Sequence, residues 1–231
     1  MVRVKRISAP QTFPTTRKAG GRFAPTPRPG PHAKKECAPL GSVVRDALGL
    51  AETMREVREA LNAQKVTVNN IVRRDTRFPV GIFDVVGVGG EHFRAIPSSK
   101  GFAFVSITKK ESDMRLVKIE NKTLVRGGRV QLNMNDGTNV LTENKEYSTG
   151  DTLVMKMPDL KVASHLKMAK GALVMLTRGR NVGRCATLEA VNTVRGTGIN
   201  TATLAMGEEK IQVPADIIFV IGEKESVVKI A

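Results

Sequence analysis

The chain has 231 residues, enough to bury two or three compact cores and therefore to form several small domains. Its 37 lysines and arginines against 22 aspartates and glutamates leave a formal charge of +15, an excess that points to a polyanionic partner. With 41% apolar residues, no tryptophan and one tyrosine the chain is globular with aliphatic cores, and its longest clean apolar run, Ile217 to Ile221, falls far short of the roughly 20 residues that span a bilayer.

Two cysteines, Cys37 and Cys185, lie far apart and exclude a disulfide framework, which points to a reducing compartment. A zinc site needs about four closely spaced ligands, and His32 with Cys37 falls short of that, so no metal is expected. No cofactor or small-molecule substrate is expected either. The N-terminus is basic but has no apolar core segment, so no secretory signal is expected and the protein is placed in the cytoplasm. A membrane surface as partner calls for a basic amphipathic helix of useful length, which is absent.

In chain order, residues 1–36 form the first segment. Up to residue 35 it has no acidic residue but nine basic ones, Arg3, Lys5, Arg6, Arg17, Lys18, Arg22, Arg28, Lys34 and Lys35, and so carries +9 of the total. Pro10, Pro14, Pro25, Pro27, Pro29 and Pro31 stiffen it toward an extended path. Too few apolar groups are present to offset the entropy of ordering it, so an extended or disordered arm is predicted whose cations line up on a phosphate backbone.

Residues 37–86 read as a compact basic module. Ser42 is placed to cap a helix over Val43-Val44-Arg45-Asp46-Ala47-Leu48, which Gly49 ends. Thr53 and Glu56 form a capping box for a second helix through Met54, Val57, Ala60 and Leu61. At about 100° per residue, Arg55, Arg58 and Asn62 share one flank of that helix, with Glu56 and Glu59 on the far side. The period then changes to two in Lys65-Val66-Thr67-Val68 and Ile71-Val72-Arg73-Arg74, around a tight turn at Asn69-Asn70, because asparagine tolerates positive φ. Arg77 and the sequence Phe78-Pro79-Val80-Gly81 close the module. Arg45, Arg55, Arg58, Lys65, Arg73, Arg74 and Arg77 are its candidate RNA-binding residues, and planar arginine forks suit phosphate.

Residues 87–160 alternate short strands and turns, with Phe102 to Ile107 and Arg115 to Ile119 as strands and Val130, Leu132 and Met134 alternating before the turn Asn135-Asp136-Gly137. Leu153, Met155 and Met157 repeat the alternation. Gly87-Val88-Gly89-Gly90 reads as a loop. The stretch Glu120 to Arg129 is a strand or loop containing Lys122, Arg126 and Arg129. Residues 161–231 offer a strand Lys170 to Leu176, a basic turn with Arg178, Arg180, Asn181 and Arg184, a strand through Leu188, and further strands Thr201 to Met206, Lys210 to Val213 and Ile217 to Ile221. The fold class is thus α+β, mostly β, ending in a five-stranded SH3-like barrel.

Three resemblances follow from these residues. Helix, capped helix and hairpin over Leu40 to Val86 resemble the alpha-L RNA-binding motif of ribosomal and RNA-modifying proteins. Strand, glycine turn and strand over Lys170 to Leu188 resemble a KOW motif, with Ala186 where a glycine is usual. Phe23-Ala24-Pro25-Thr26-Pro27-Arg28-Pro29-Gly30-Pro31-His32, Glu36-Cys37-Ala38-Pro39-Leu40, Phe78 to Val86 and Ile218-Phe219-Val220-Ile221-Gly222 are similar, in order and over nearly the full length, to the ribosomal protein S4e family. That resemblance implies a small-subunit protein of archaeal and eukaryotic type, archaeal in length, bound to ribosomal RNA among neighbouring ribosomal proteins.

Catalysis needs convergent titratable groups, and His32, His92 and His165 stand without a nucleophile or base nearby in the sequence. There is no phosphate-binding loop with its lysine. Asp84 reads as structural. The other functions to weigh are an RNA-modifying enzyme of pseudouridine-synthase type and a KOW-type transcription elongation factor.

Overall fold

The structure, a computed structural model, describes residues 4–230 apart from 17–20, 145, 195, 197, 208 and 224. It divides into two compact units, residues 1–115 and 116–231, with the boundary inside a strand.

Unit 1 opens with β1 (Val4–Lys5), which pairs antiparallel with β2 (Phe23–Ala24) over a small cluster of Ala9, Phe13 and Ala24. β3 (Ala38–Pro39) leads directly into α1 (Leu40–Ser42), which continues as the π-turn Val43–Ala47 and ends at Gly49 with φ +66°. The helix therefore starts two residues before the predicted Ser42 cap. Ser42 is itself helical and buried, and Pro39 stands at the N-cap, because the main-chain N–H groups of Leu40 and Gly41 already donate to Phe78 O and Thr76 O. α2 (Met54–Asn62) follows as predicted, with the Glu56 N–H donating to the Thr53 hydroxyl.

Next come β4 (Val66–Val68), β5 (Ile71–Val72), β6 (Pro79–Val80, paired with β3), β7 (Val85–Val88), β8 (Glu91–Ser98) and β9 (Gly101–Ile107). They build an antiparallel sheet in the order β5-β4-β7-β8-β9. Leu40, Val43 and Val44 of the first helix and Val57 and Leu61 of α2 bury against Val66, Val68, Val86 and Ala95 of this sheet. A two-stranded hairpin cannot bury a helix pair alone, so β7, β8 and β9 complete the core. The hydrogen-bonded sheet that carries the hairpin thus runs on to Ile107, and residue 86 lies within β7. Gly87-Val88 is strand and only Gly89-Gly90 turns, with φ +61° and +100°.

The N-terminal segment follows an extended path, yet it is packed onto unit 1 rather than disordered. Phe13 and Ala24 are buried, and Arg28 N–H donates to Arg77 O at 2.9 Å. Its few apolar side chains, Val4, Ala9, Phe13 and Ala24, gather in a small cluster of their own. A short α3 (Lys109–Ser112), with a capping box between Thr108 and Glu111, ends the unit, and the buried Arg94 donates through Nη2 to Glu111 O and Met114 O at its C-terminal end.

Unit 2 takes up β10 (Met114–Leu124), then β11 (Val130–Met134), β12 (Asn139–Thr142), β13 (Thr152–Lys156) and β14 (Lys161–Leu166), in the order β12-β11-β10-β13-β14. The alternation Val130, Leu132, Met134 faces the core of this sheet. In β13, Thr152 to Met155 are all buried, as befits an inner strand. A second antiparallel sheet has β15 (Leu173–Leu176), β16 (Cys185–Asn192), β17 (Thr201–Met206), β18 (Glu209–Pro214) and β19 (Ile218–Gly222), in the order β18-β17-β16-β15-β19. The Lys118 ammonium of β10 donates to Ala215 O, Asp216 O and Ile218 O at 3.3, 2.8 and 2.8 Å, and so ties the two sheets together. Burial pulls its pKa below the ordinary lysine value, against the opposing pull of Asp216. No helix among the described residues is long and apolar enough to cross a membrane.

Candidate nucleic-acid interface

The hairpin between β4 and β5 turns on Asn69 and Asn70, with φ +53° and +61°, the two-residue geometry that matches strand twist. Both side chains are also spent on tertiary bonds. Asn69 Nδ2 donates to Asp84 Oδ1 at 2.9 Å, its Oδ1 accepts from Val85 N–H, and Asn70 Nδ2 donates to Asp113 Oδ1 at 2.6 Å. The strand leaving this turn delivers Arg73 and Arg74. Arg74 is exposed, whereas Arg73 is half-buried with its guanidinium carbon 4.3 Å from the Phe78 ring centroid, a cation–π stack that fixes its plane.

On α2, Arg55 and Arg58 are exposed, and Arg55 pairs with Glu59 at 3.2 Å where both side chains are mostly solvated, so Glu59, one turn on, shares the flank of Arg55 and does not lie on the far side as the sequence suggests. Such a pair contributes about 0.3–0.5 kcal/mol and yields readily to a phosphate. Lys65, between α2 and β4, is exposed. Arg45 differs: its guanidinium makes a two-bond fork on Asp46 at 2.7 and 2.9 Å.

Arm and module meet at Asp75. Arg28 pairs with it at 3.0 Å, Arg77 N–H donates to its Oδ1, and Arg77 Nε donates to Thr26 O at 2.6 Å. Arg28 and Arg77 were predicted as RNA ligands, and the fold uses both to dock the arm. Arg28 keeps an exposed side chain at 62%, whereas Arg77 is half-buried. Elsewhere on the arm Lys5, Arg22, Lys34 and Lys35 are exposed, and Arg6 is half-buried, donating to Thr16. Arg3, Arg17 and Lys18 lie outside the described residues.

Beneath this face lies a buried polar hub that sequence reasoning missed. Asp84, 1% exposed, accepts from His32 Nε2 at 2.9 Å, Gly81 N–H at 2.8 Å, Asn69 Nδ2 at 2.9 Å and Arg115 Nη2 at 2.7 Å. Burial alone would raise its pKa, but Arg115 and His32 outweigh that and hold the carboxyl well below the usual carboxylate range. Arm, hairpin turn, the Gly81 loop and the end of unit 1 are thereby fixed to one charge. A Cβ on Gly81 would overlap the His32 ring, so only glycine allows the approach. His32 and His165, read as lacking partners, both have one: His165 lies in β14 with Asp151 Oδ2 at 2.8 Å and Tyr147 edge-on. Neither pair was legible because its members are 52 and 14 residues apart.

In unit 2 the predicted basic turn spans Arg178 to Arg184, with Arg178, Arg180 and Arg184 exposed and Asn181 half-buried. Gly183 N–H donates to Leu176 O, which closes it onto β15. Ala186, 4% exposed, pairs with Val174. Arg126 and Arg129, which the sequence reading left unplaced, are exposed at the turn between β10 and β11.

The arrangement supplies cations and hydrogen-bond donors on rigid supports, and little reaction chemistry. Asp84 has no access to solvent. The Cys37 thiol is pushed up to about 12 by burial, with Asp84 and Glu36 adding to it, so it stays protonated and inert. Among the described residues no three His, Cys, Asp or Glu side chains stand close enough to hold a metal ion.

Three family models match stretches of the chain between residues 3 and 162. The model of ribosomal family S4e matches residues 89–162, the S4 domain model matches 42–86, and the RS4NT (NUC023) domain model matches 3–35. The small ribosomal subunit protein eS4 of Archaeoglobus fulgidus is 42% identical over 96% of this chain and 94% of its own length, and that of Aeropyrum pernix is 38% identical over 99% and 94%. The crystal structure of the 30S ribosomal protein S4e from Thermoplasma acidophilum superposes with a TM-score of 0.72 at 27% identity, covering 85% of this chain and 98% of that one.

Proposed function

The chain belongs to the ribosomal S4e family, and we propose that it is a non-catalytic structural constituent of the small ribosomal subunit that binds and holds ribosomal RNA. The observation that carries this reading is the set of exposed cations Arg55, Arg58, Lys65 and Arg74, with Arg73 over the Phe78 ring, within the S4 domain match and around the buried Asp84 network. Rigid placement matters because RNA is recognised by the shape of its backbone, and a cation already ordered loses little entropy on binding phosphate.

Helix, capped helix and hairpin within the S4 domain match support an alpha-L-type grip over 37–86. The arm, 1–36, adds phosphate contacts through Lys5, Arg22, Lys34 and Lys35. The region 161–231 acts as a KOW-type contact through Arg178, Arg180, Asn181 and Arg184, and the tight turn between β15 and β16 supports that reading. The protein works in the cytoplasm, within the subunit, and acts on no small molecule.

Sucrose-gradient sedimentation of cell extract tests the assignment: the protein comigrates with the small subunit. Comigration with RNA polymerase instead would overturn it in favour of an elongation factor. On isolated small-subunit rRNA, R58A and R74A each weaken binding by on the order of tenfold with the circular dichroism spectrum unchanged.

A further inference from the structure

We infer that the ribbon formed by β1 and β2 is a base-stacking platform, on which the Phe23 ring takes one unpaired RNA base while Lys5 and Arg22 meet the neighbouring phosphates. The inference rests on the RNA-binding reading above and adds to it a residue whose contact is apolar.

The argument begins with strand alternation. Directly opposed residues of an antiparallel pair share a face, and successive residues take opposite faces. Val4 is paired with Ala24, and both pack on the cluster of Ala9 and Phe13. Lys5 and Phe23, the next pair, therefore face away from that cluster. Phe13 is buried at 4% exposure, whereas Phe23 keeps 42%. The Arg22 guanidinium carbon lies 5.7 Å from the Phe23 ring centroid, and Arg6 N–H donates to Arg22 O, which fixes the backbone of that residue.

A single exposed aromatic on a protein surface is ordinary. This one sits in a stretch of 35 residues with no carboxylate, directly opposite a lysine and under an arginine. Aromatic rings set among cations are how proteins hold single-stranded nucleic acid, since every base has a π-face while paired bases in a helix do not expose theirs. The ligand class is therefore an unpaired nucleotide, in a loop or bulge of folded RNA.

The chain has no tryptophan, so an F23W variant carries the only indole. On titration with deproteinised small-subunit rRNA, its emission is quenched and its affinity matches the parent. F23A and F23L, with melting temperatures like the parent, bind that rRNA about 5- to 100-fold more weakly, as loss of a stacked base requires, with an unchanged dependence on salt. R22A instead lowers the slope of log K against log salt by about 0.7–0.9. If F23A and F23L bind as the parent does while R58A and R74A are weakened, the platform is wrong and the RNA-binding reading stands. If the parent does not bind the rRNA, that reading itself fails. An indole signal that responds to added ribosomal proteins but not to rRNA also overturns the platform, assigning Phe23 to a protein contact.

Discussion

At Asp84 a carboxylate with 1% exposure gathers donors from His32, Asn69, Gly81 and Arg115, so its charge is compensated by groups from four separate segments. Removing one member of a buried ionic network leaves the others desolvated and unpaired, and Asp84→Ala is expected to cost about 3–5 kcal/mol in urea unfolding at pH 7. The pH dependence has a definite sign. Because the folded carboxyl is held below its ordinary value, its contribution is fully present above the unfolded value of about 4 and is lost as pH falls below that. The parent should therefore lose stability between about pH 4 and pH 2 more steeply than Asp84→Asn, which starts lower and varies less. Equal slopes for the two proteins in that window would remove Asp84 from this role. Gly81→Ala acts on the same hub by displacing His32, and loses stability without removing any charge.

Among the elements, the β4–β5 hairpin joins local chemistry to tertiary structure most closely. Asn69 and Asn70 are suited to positive φ, and the sequence placed the turn there for that reason. The same side chains bond Asp84 and Asp113, partners too far along the chain for any local pattern to indicate. Asn70→Val combines a β-branched residue at φ +61° with loss of the Asp113 bond, and is expected to destabilise by about 2–4 kcal/mol, whereas Asn70→Gly keeps the backbone geometry and costs about 1 kcal/mol. Guanidinium chloride unfolding of the two variants separates these terms, and equal losses would show that φ contributes nothing. The capping of α2 was legible from Thr53 and Glu56 because capping is local. The start of the first helix was not, because the N–H groups of Leu40 and Gly41, ahead of Ser42, are held by Phe78 O and Thr76 O, partners far along the chain.

On the scale of the whole chain, the placement of the charge differs most from what composition implies. The arm holds +9 of +15, and its low apolar content predicts a chain that orders only on RNA. In the fold, its residues Phe13, Ala24 and His32 are part of unit 1, so deleting residues 1–35 should lower the thermal midpoint of the free protein, followed by circular dichroism without RNA. An unchanged midpoint would return the arm to a tail. The same packing sets which cations face solvent: Arg28 and Arg77 hold the arm in place, and Arg45 is forked onto Asp46, while Arg58 and Arg74 are exposed.

By itself the sequence determined the capped helix α2, the Asn69-Asn70 turn, the strands with clear alternation and the class of partner. Hydrophobic period, capping residues and turn asparagines act over a few residues, and net charge is a sum that no fold alters. Only the tertiary structure decided that the hairpin's sheet is completed by β7, β8 and β9, that the arm is docked, and that Asp84 pairs with His32 and Asp151 with His165. Those outcomes depend on which side chains meet across long chain separations and on the loss of water around them. Burial is what turns Asp84, legible only as structural, into a hub for four separate segments.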